Sequence, residues 1–317
     1  MQKDLESRSD KYALAAPDHI LVATDLTDMA YLLPYVVAQA EATGARISLV
    51  HAIPPSEFVA SDPAVIPYVD RAKVIHDVRL MLLDMARQIE ARGISCNTIV
   101  REGSASEVIR EELGKAAAGR LILGTHGRGK LGRLAIGSIA QEVISSVNIP
   151  VFLVGRHARE AIEHVTPRKI LHAVSLTGNY QESLDLALGL GQTHGAEVTL
   201  LHVLDPDVAN EINPERTIDW AKHALEELAP DGLNLVPPVH TLVTTGALAE
   251  EILKAADQTD ADWIVLGADG RHRSWPFYEC AAYQVLRRAT CPVLTLRHEP
   301  HRVTPVKLEE VHFTSPL

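Results

Sequence analysis

Residues 121–139, LILGTHGRGKLGRLAIGSI, have the types and spacing that could do chemistry: a branched apolar run, a glycine-rich turn carrying Arg128, Lys130 and Arg133, and a helix start. A strand that ends in glycines delivers a loop whose backbone amides can approach a ligand closely, and the basic side chains suit an anion. The expected occupant is a phosphate. Two familiar phosphate motifs overlap here, and both fail. Gly124 to Lys130 has the G-x-x-x-x-G-K form of a P-loop, but Leu131 stands where a Ser or Thr would ligate magnesium. Gly127, Gly129 and Gly132 spell G-x-G-x-x-G, yet the acid expected about 20 residues further on is missing. The chain there reads Phe152, Leu153, Val154, Gly155.

A third spacing takes Gly124, Gly127, Gly137 and Ser138 as G-x2-G-x9-G-S. Gly124 and Gly127 would let the chain turn with amides exposed. Gly137 and Ser138 would present free N–H groups and a hydroxyl at a helix start, where the dipole favours an anion. Two amide-rich ends would then converge on one polyphosphate. The alternative is a solvated loop whose glycines only turn the chain.

The elements that must position this stretch alternate between strand and helix. An apolar run ends at Asp25, apolar residues recur at helical spacing over 28–43 until Gly44, and 46–53 reads as a second strand. After a proline-containing loop over 54–67 come a helix over 68–92 closed by Gly93 and a strand over 94–101. Ser104 and Glu107 form an S-x-x-E capping box opening a helix to about Ala117, before a strand over 121–123, a helix over 137–147 and a strand over 150–154. Repeated β-α alternation implies a parallel sheet with helices on both faces. In such sheets ligands bind beyond the carboxyl ends of strands where the strand order reverses. If the first and fourth strands are neighbours, Asp25 and the glycine loop face one crevice. Asp25 then holds a ribose hydroxyl, a metal or part of a base, against the plainer alternative of a helix N-cap or turn residue.

The chain is a tandem duplication. ILVATDLT from Ile20 answers to ILHAVSLT from Ile170, and TGARISLVHAI from Thr43 to HGAEVTLLHVL from His194. GRLILGTHGRG from Gly119 answers to ADWIVLGADGRH from Ala261, and IPVFLVGRHA from Ile149 to CPVLTLRHEP from Cys291. The expected units are 1–160, 161–300 and a C-terminal tail, 301–317, without periodicity and expected to be poorly ordered. In the second copy Ser175 replaces Asp25, and Gly267 and Gly270 survive, but the Gly-Ser pair becomes Cys280-Ala281, or Glu279-Cys280 with one deletion. The aromatic loop of Trp275, Phe277 and Tyr278 lies between. The second site is read as degenerate.

Composition bounds the function. With 317 residues, 46% hydrophobic content and a net charge of −11, the chain is globular and ill suited to general nucleic-acid or anionic-membrane binding. No apolar run approaches the roughly 18 residues of a membrane span, and the start MQKDLESRSD lacks the apolar core of a signal peptide, so a cytoplasmic location is expected. Cys96, Cys280 and Cys291 are too few for a disulfide framework.

The G-x2-G-x9-G-S spacing, with ILVATDLTD at the start, resembles the ATP-binding signature of the universal stress protein family, and the likeness extends over nearly the whole chain as two copies. The resemblance implies two tandem Rossmann-like α/β domains, each a five-stranded parallel sheet of order 3-2-1-4-5 with helices on both faces, pairing with each other through their fifth strands. It implies ATP or a related adenine nucleotide as ligand, with a divalent metal such as magnesium, one nucleotide per chain. Ala23, Thr24 and Asp25 would line the nucleoside pocket and the Ala52 backbone would meet adenine. Leu123, Gly124, Gly127, Gly137, Ser138 and Ile139 would enclose ribose and phosphates, with His126 and Arg128 in the same loop. A regulatory role in stress response, an unknown protein partner and a possible homodimer follow from the same likeness.

Other classes stay open. A slow ATPase or self-phosphorylating protein would use His126 as base or Ser138 as acceptor, although no clear base is placed to activate water. A thiol sensor would use Cys280 near Arg271 and Arg273, and a scaffold would need no ligand. The histidines lack zinc spacing. His51 and His202 occupy matching places and are expected to bond backbone carbonyls, while Tyr180, Trp220 and Trp263 are expected to pack in cores.

Overall fold

The computed structural model describes residues 12–55, 70–125, 136–155, 158, 165–176, 178–207, 214–229, 238–269 and 281–298. In the first half the chain runs β1 (His19–Ala23), α1 (Met29–Thr43), β2 (Arg46–Ile53), α2 (Arg71–Glu90), β3 (Cys96–Glu102), α3 (Ala105–Ala116), β4 (Arg120–Gly124), α4 (Ser138–Ser146) and β5 (Val151–Val154). The second half repeats it with β6 (Lys169–Ala173), α5 (Gln181–His194), β7 (Glu197–Leu204), α6 (Pro214–Leu228), β8 (Val239–Thr245), α7 (Leu248–Thr259), β9 (Trp263–Asp269), α8 (Ala281–Arg288) and β10 (Val293–His298).

All ten strands form one sheet, in the order β3-β2-β1-β4-β5-β10-β9-β6-β7-β8. Each half is parallel within itself, and the two join through β5 and β10, which pair antiparallel with Leu294 opposite Phe152. β1 is buried at all five positions because both of its faces are covered. Ile20 and Val22 point into one apolar layer with α1, α2, α5 and α6; Leu21 and Ala23 point into the other with α3, α4, α7 and α8. Both layers run across the join. At its centre Phe152 packs edge-on against Trp263 at 4.9 Å, with Tyr35 and His194 on either side.

Helix ends follow local chemistry. Gly44 closes α1 in the left-handed conformation (φ 71°), where glycine carries no Cβ penalty, and its N–H donates to Ala40 O at 2.8 Å. Asp70 caps α2 by accepting from the Lys73 amide. The capping box expected at Ser104 and Glu107 does not form. Ser104 occupies the N-cap position, but its hydroxyl meets Ser106 Oγ at 3.0 Å rather than a helix amide. Trp220 departs from expectation as well: it is 53% exposed on α6, whereas Trp263 is fully buried and Tyr180 packs at the edge of a core.

Candidate functional site

The strand order reverses between β1 and β4, whose ends lie side by side with Ala23 opposite Leu123. Beyond β1 the chain makes a tight polar turn. The Thr24 hydroxyl donates to Asp28 Oδ1 in a short hydrogen bond and accepts from the Leu26 amide at 2.9 Å. Leu26 takes φ 73°, a conformation rare for a side chain of its kind. Asp25 Oδ1 accepts from both the amide and the hydroxyl of Thr27, at 2.8 and 2.6 Å, which makes Asp25 an Asx-turn residue. The N-cap position of α1 belongs to Asp28, so the N-cap alternative for Asp25 is overturned. Asp25 is half-buried at the rim of the switch point.

β2 supplies the second wall. The β1–β2 ladder ends at Ala23 and Val50, with Thr24 N donating to Val50 O. His51 Nδ1 then donates to Thr24 O at 2.8 Å and so occupies the carbonyl that would carry the ladder further. Val50 O faces β1 and Ile53 O accepts from Gly103 on the β3 side, so alternation turns the Ala52 amide and carbonyl toward β1, past its end. That is a backbone edge able to meet a planar base.

β4 and α4 supply the third wall. Gly124 is the last residue of β4, laddered to Val154. A Cβ added to Gly124 would lie 2.4 Å from Tyr31 Oη and 3.0 Å from Asp28 Oδ2, so side-chain packing from the α1 region demands this glycine. This corrects its assignment as a turn residue. Gly137 is corrected too. Its N–H is engaged by Thr125 O at 2.7 Å, which clips the start of α4 to the end of β4. The first-turn donors lie one residue later: the amides of Ser138, Ile139 and Ala140 have no acceptor within the helix, and Gly137 at the N-cap has no side chain to cap them. Ser138 and Ile139 are exposed there. His126, Gly127 and Arg128 lie outside the described residues.

The structure therefore brings Ala23, Thr24, Asp25, Ala52, Leu123, Gly124, Gly137, Ser138 and Ile139 to the carboxyl edge around one switch point. Its chemistry is bipolar. A helix N-terminus favours an anion, while Asp25, an acceptor-only carboxylate, suits a sugar hydroxyl or a cation but opposes a bare phosphate. A ligand that is sugar on one side and polyanion on the other fits both. Sequence reasoning missed Thr125 and Asp28, whose contacts arise only when β4, α4 and the β1 turn meet. A cavity of about 380 Å³ opens elsewhere, at the amino ends of β1 to β3, lined by His19, Ser48, Asn97, Glu112 and Lys115 among others. There His19 spans Ala116 O and Ser48 Oγ at 3.0 and 2.7 Å, a structural tie far from the switch point.

The second half keeps the frame and changes the site. His202 Nδ1 donates to Val174 O at 2.9 Å, as His51 does to Thr24 O, and burial lowers the His202 pKa. The shared carbonyl role expected for the two histidines is present. Val174 and Ser175 stand where Thr24 and Asp25 stood, so the first position loses its hydroxyl and the second exchanges a charge for a neutral hydroxyl. Burial pushes the thiols of Cys96 and Cys291 up to about 12; Cys280 lies outside the described residues. Among the described residues no group of three or more His, Cys, Asp or Glu is placed to hold a metal, and no helix is long and apolar enough to cross a membrane.

The sequence profile of the Universal stress protein family matches the chain twice, over residues 17–155 and 166–297. Universal stress protein A homolog 1 of Coxiella burnetii is 27% identical over 139 residues, 41% of this chain and 95% of its own. A universal stress protein encoded beside a sulfhydrylase gene in Thermus aquaticus is 29% identical over 140 residues, 43% of this chain and 96% of its own. A universal stress protein structure from Archaeoglobus fulgidus superposes with a TM-score of 0.68 at 17% identity, covering 89% of this chain and 99% of that one, which speaks to the tandem fold alone.

Proposed function

The chain belongs to the universal stress protein family as two tandem domains, and from that premise we propose that its first half binds one adenine nucleotide, ATP with a divalent metal, and that the protein acts as a nucleotide-dependent regulator in stress response. The observation that carries this reading is the bipolar switch point, with the Asp25 carboxylate on one side and the first-turn amides of α4 on the other. In this assignment Asp25 takes the ribose or the metal, and the Ala52 backbone meets adenine. The α4 amides with the Ser138 hydroxyl hold phosphate, and Gly124 and Gly137 keep the rim clear of side chains. Bound metal would neutralise phosphate charge beside Asp25.

Equilibrium dialysis of the full chain against ATP and magnesium tests the proposal, with Gly137→Glu and Asp25→Ala beside it. Gly137→Glu sets a carboxylate at the helix start and is expected to cost at least about 100-fold in affinity, the scale of a like charge introduced beside an anion at close contact. Asp25→Ala is expected to weaken binding about tenfold, the value of one charge-assisted hydrogen bond. Folded wild-type protein that retains no nucleotide would overturn the assignment.

A further inference from the structure

We propose that the second half holds the ligand helix of the first, with Tyr283 and Arg297 as positioning residues for α4; the link to nucleotide rests on the function proposed above. The join has approximate two-fold symmetry. Phe152 and Leu294 are matched positions of the repeat and face each other in the β5–β10 ladder. Gln141 and Tyr283 are also matched, each nine residues before Pro150 or Pro292, and they meet across the join. Gln141 Nε2 lies 3.3 Å from Tyr283 Oη and donates to Ile136 O at 2.9 Å. One amide group with two hydrogens thus ties the second half to the residue just before the Gly137-Ser138 pair.

A further contact has no symmetry mate. Arg297 Nη1 on β10 donates to Ser145 O, in the last turn of α4, at 2.7 Å. The position matched to Arg297 in the first half is Gly155. A Cβ there would sit 3.6 Å from Leu286 O and 3.9 Å from Ala289 O, so the glycine lies beside the end of α8 with no side chain to return the bond. The hold therefore runs from the second half to the first. α4 has nine residues, a length at which an isolated helix is marginal, and its last carbonyls lack donors within the helix. A guanidinium at its carboxyl end supplies a donor and complements the dipole. With Tyr283 steadying the other end through Gln141, the first-turn amides are set before a ligand arrives, which spares the ordering cost of binding.

The test uses the full chain and two readouts: hydrogen exchange of α4 in nucleotide-free protein, and affinity for ATP with magnesium. Arg297→Met is expected to speed exchange in α4 about tenfold and to weaken ATP about fivefold, with Tyr283→Phe acting in the same direction. Arg297→Lys, which keeps a cation, should recover part of both. Arg287→Met removes an exposed cation from α8 and should change neither. Unchanged exchange in Arg297→Met and Tyr283→Phe would overturn the proposal, as would an equal loss in Arg287→Met. If wild-type protein binds no ATP while exchange in α4 still responds, the positioning role stands and the nucleotide assignment falls.

Discussion

The two halves share one frame and differ at one edge. Each has a histidine on its second strand that takes the carbonyl just past its first strand, His51 to Thr24 and His202 to Val174, and each leaves the following backbone open. At that opening the first half has the Asp25 carboxylate beside a Thr24 hydroxyl tied to Asp28, whereas the second has Val174 and Ser175. What forms the sheet is thus separable from what would bind a ligand, and the second half keeps the frame with different residues at the edge. Its retained surface lies against the first half, through Trp263, Tyr283 and Arg297.

The sharpest way to break this comparison is to attack the join. Trp263 is fully buried and packs on Phe152 of the opposite half, so Trp263→Ala is expected to cost about 3–5 kcal/mol by urea denaturation. A value near zero would mean that the halves stand independently. His194, edge-on to Trp263, gives a pH test. Burial, and next the charge of Arg120, lower its pKa from 6.5 to about 4. The unfolded chain takes up a proton near 6.5 and the folded one only near 4, so this contribution to stability is full above 6.5 and is lost as pH falls through that window. His194→Gln should flatten the acid limb of stability against pH between those values. The smallest effects compare the matched histidines. His51→Ala and His202→Ala should each cost about 1 kcal/mol, the value of one buried hydrogen bond, while His51→Ala alone weakens nucleotide.

The alternation of strands and helices was legible because it is written in local periodicity, and the duplication because matched segments such as ILVATDLT and ILHAVSLT align by eye. The role of His51 and His202 could be read from their equivalence. What local sequence hid was the reason for particular residues. Gly124 looks like a loop glycine, yet Tyr31 and Asp28, remote in sequence, are what require it. Gly137 looks like an amide donor to a ligand, yet Thr125 already takes its N–H. Ser104 carries a capping-box pattern, but Ser106 intercepts its hydroxyl. Arg120 opens β4 as a cation fully buried among the carbonyls of Leu14, Ala15 and Gln39, with burial lowering its pKa to about 10. Nothing in its neighbouring sequence announces that burial, because its partners come from the segment before β1 and from α1.

The asymmetry between the halves is tested most directly by calorimetric stoichiometry: ATP with magnesium titrated into full-length protein stripped of carried-over nucleotide. One nucleotide per chain, abolished by Gly137→Glu, is the expected result. Two per chain, or one that survives Gly137→Glu, would place a working site in the second half and contradict it.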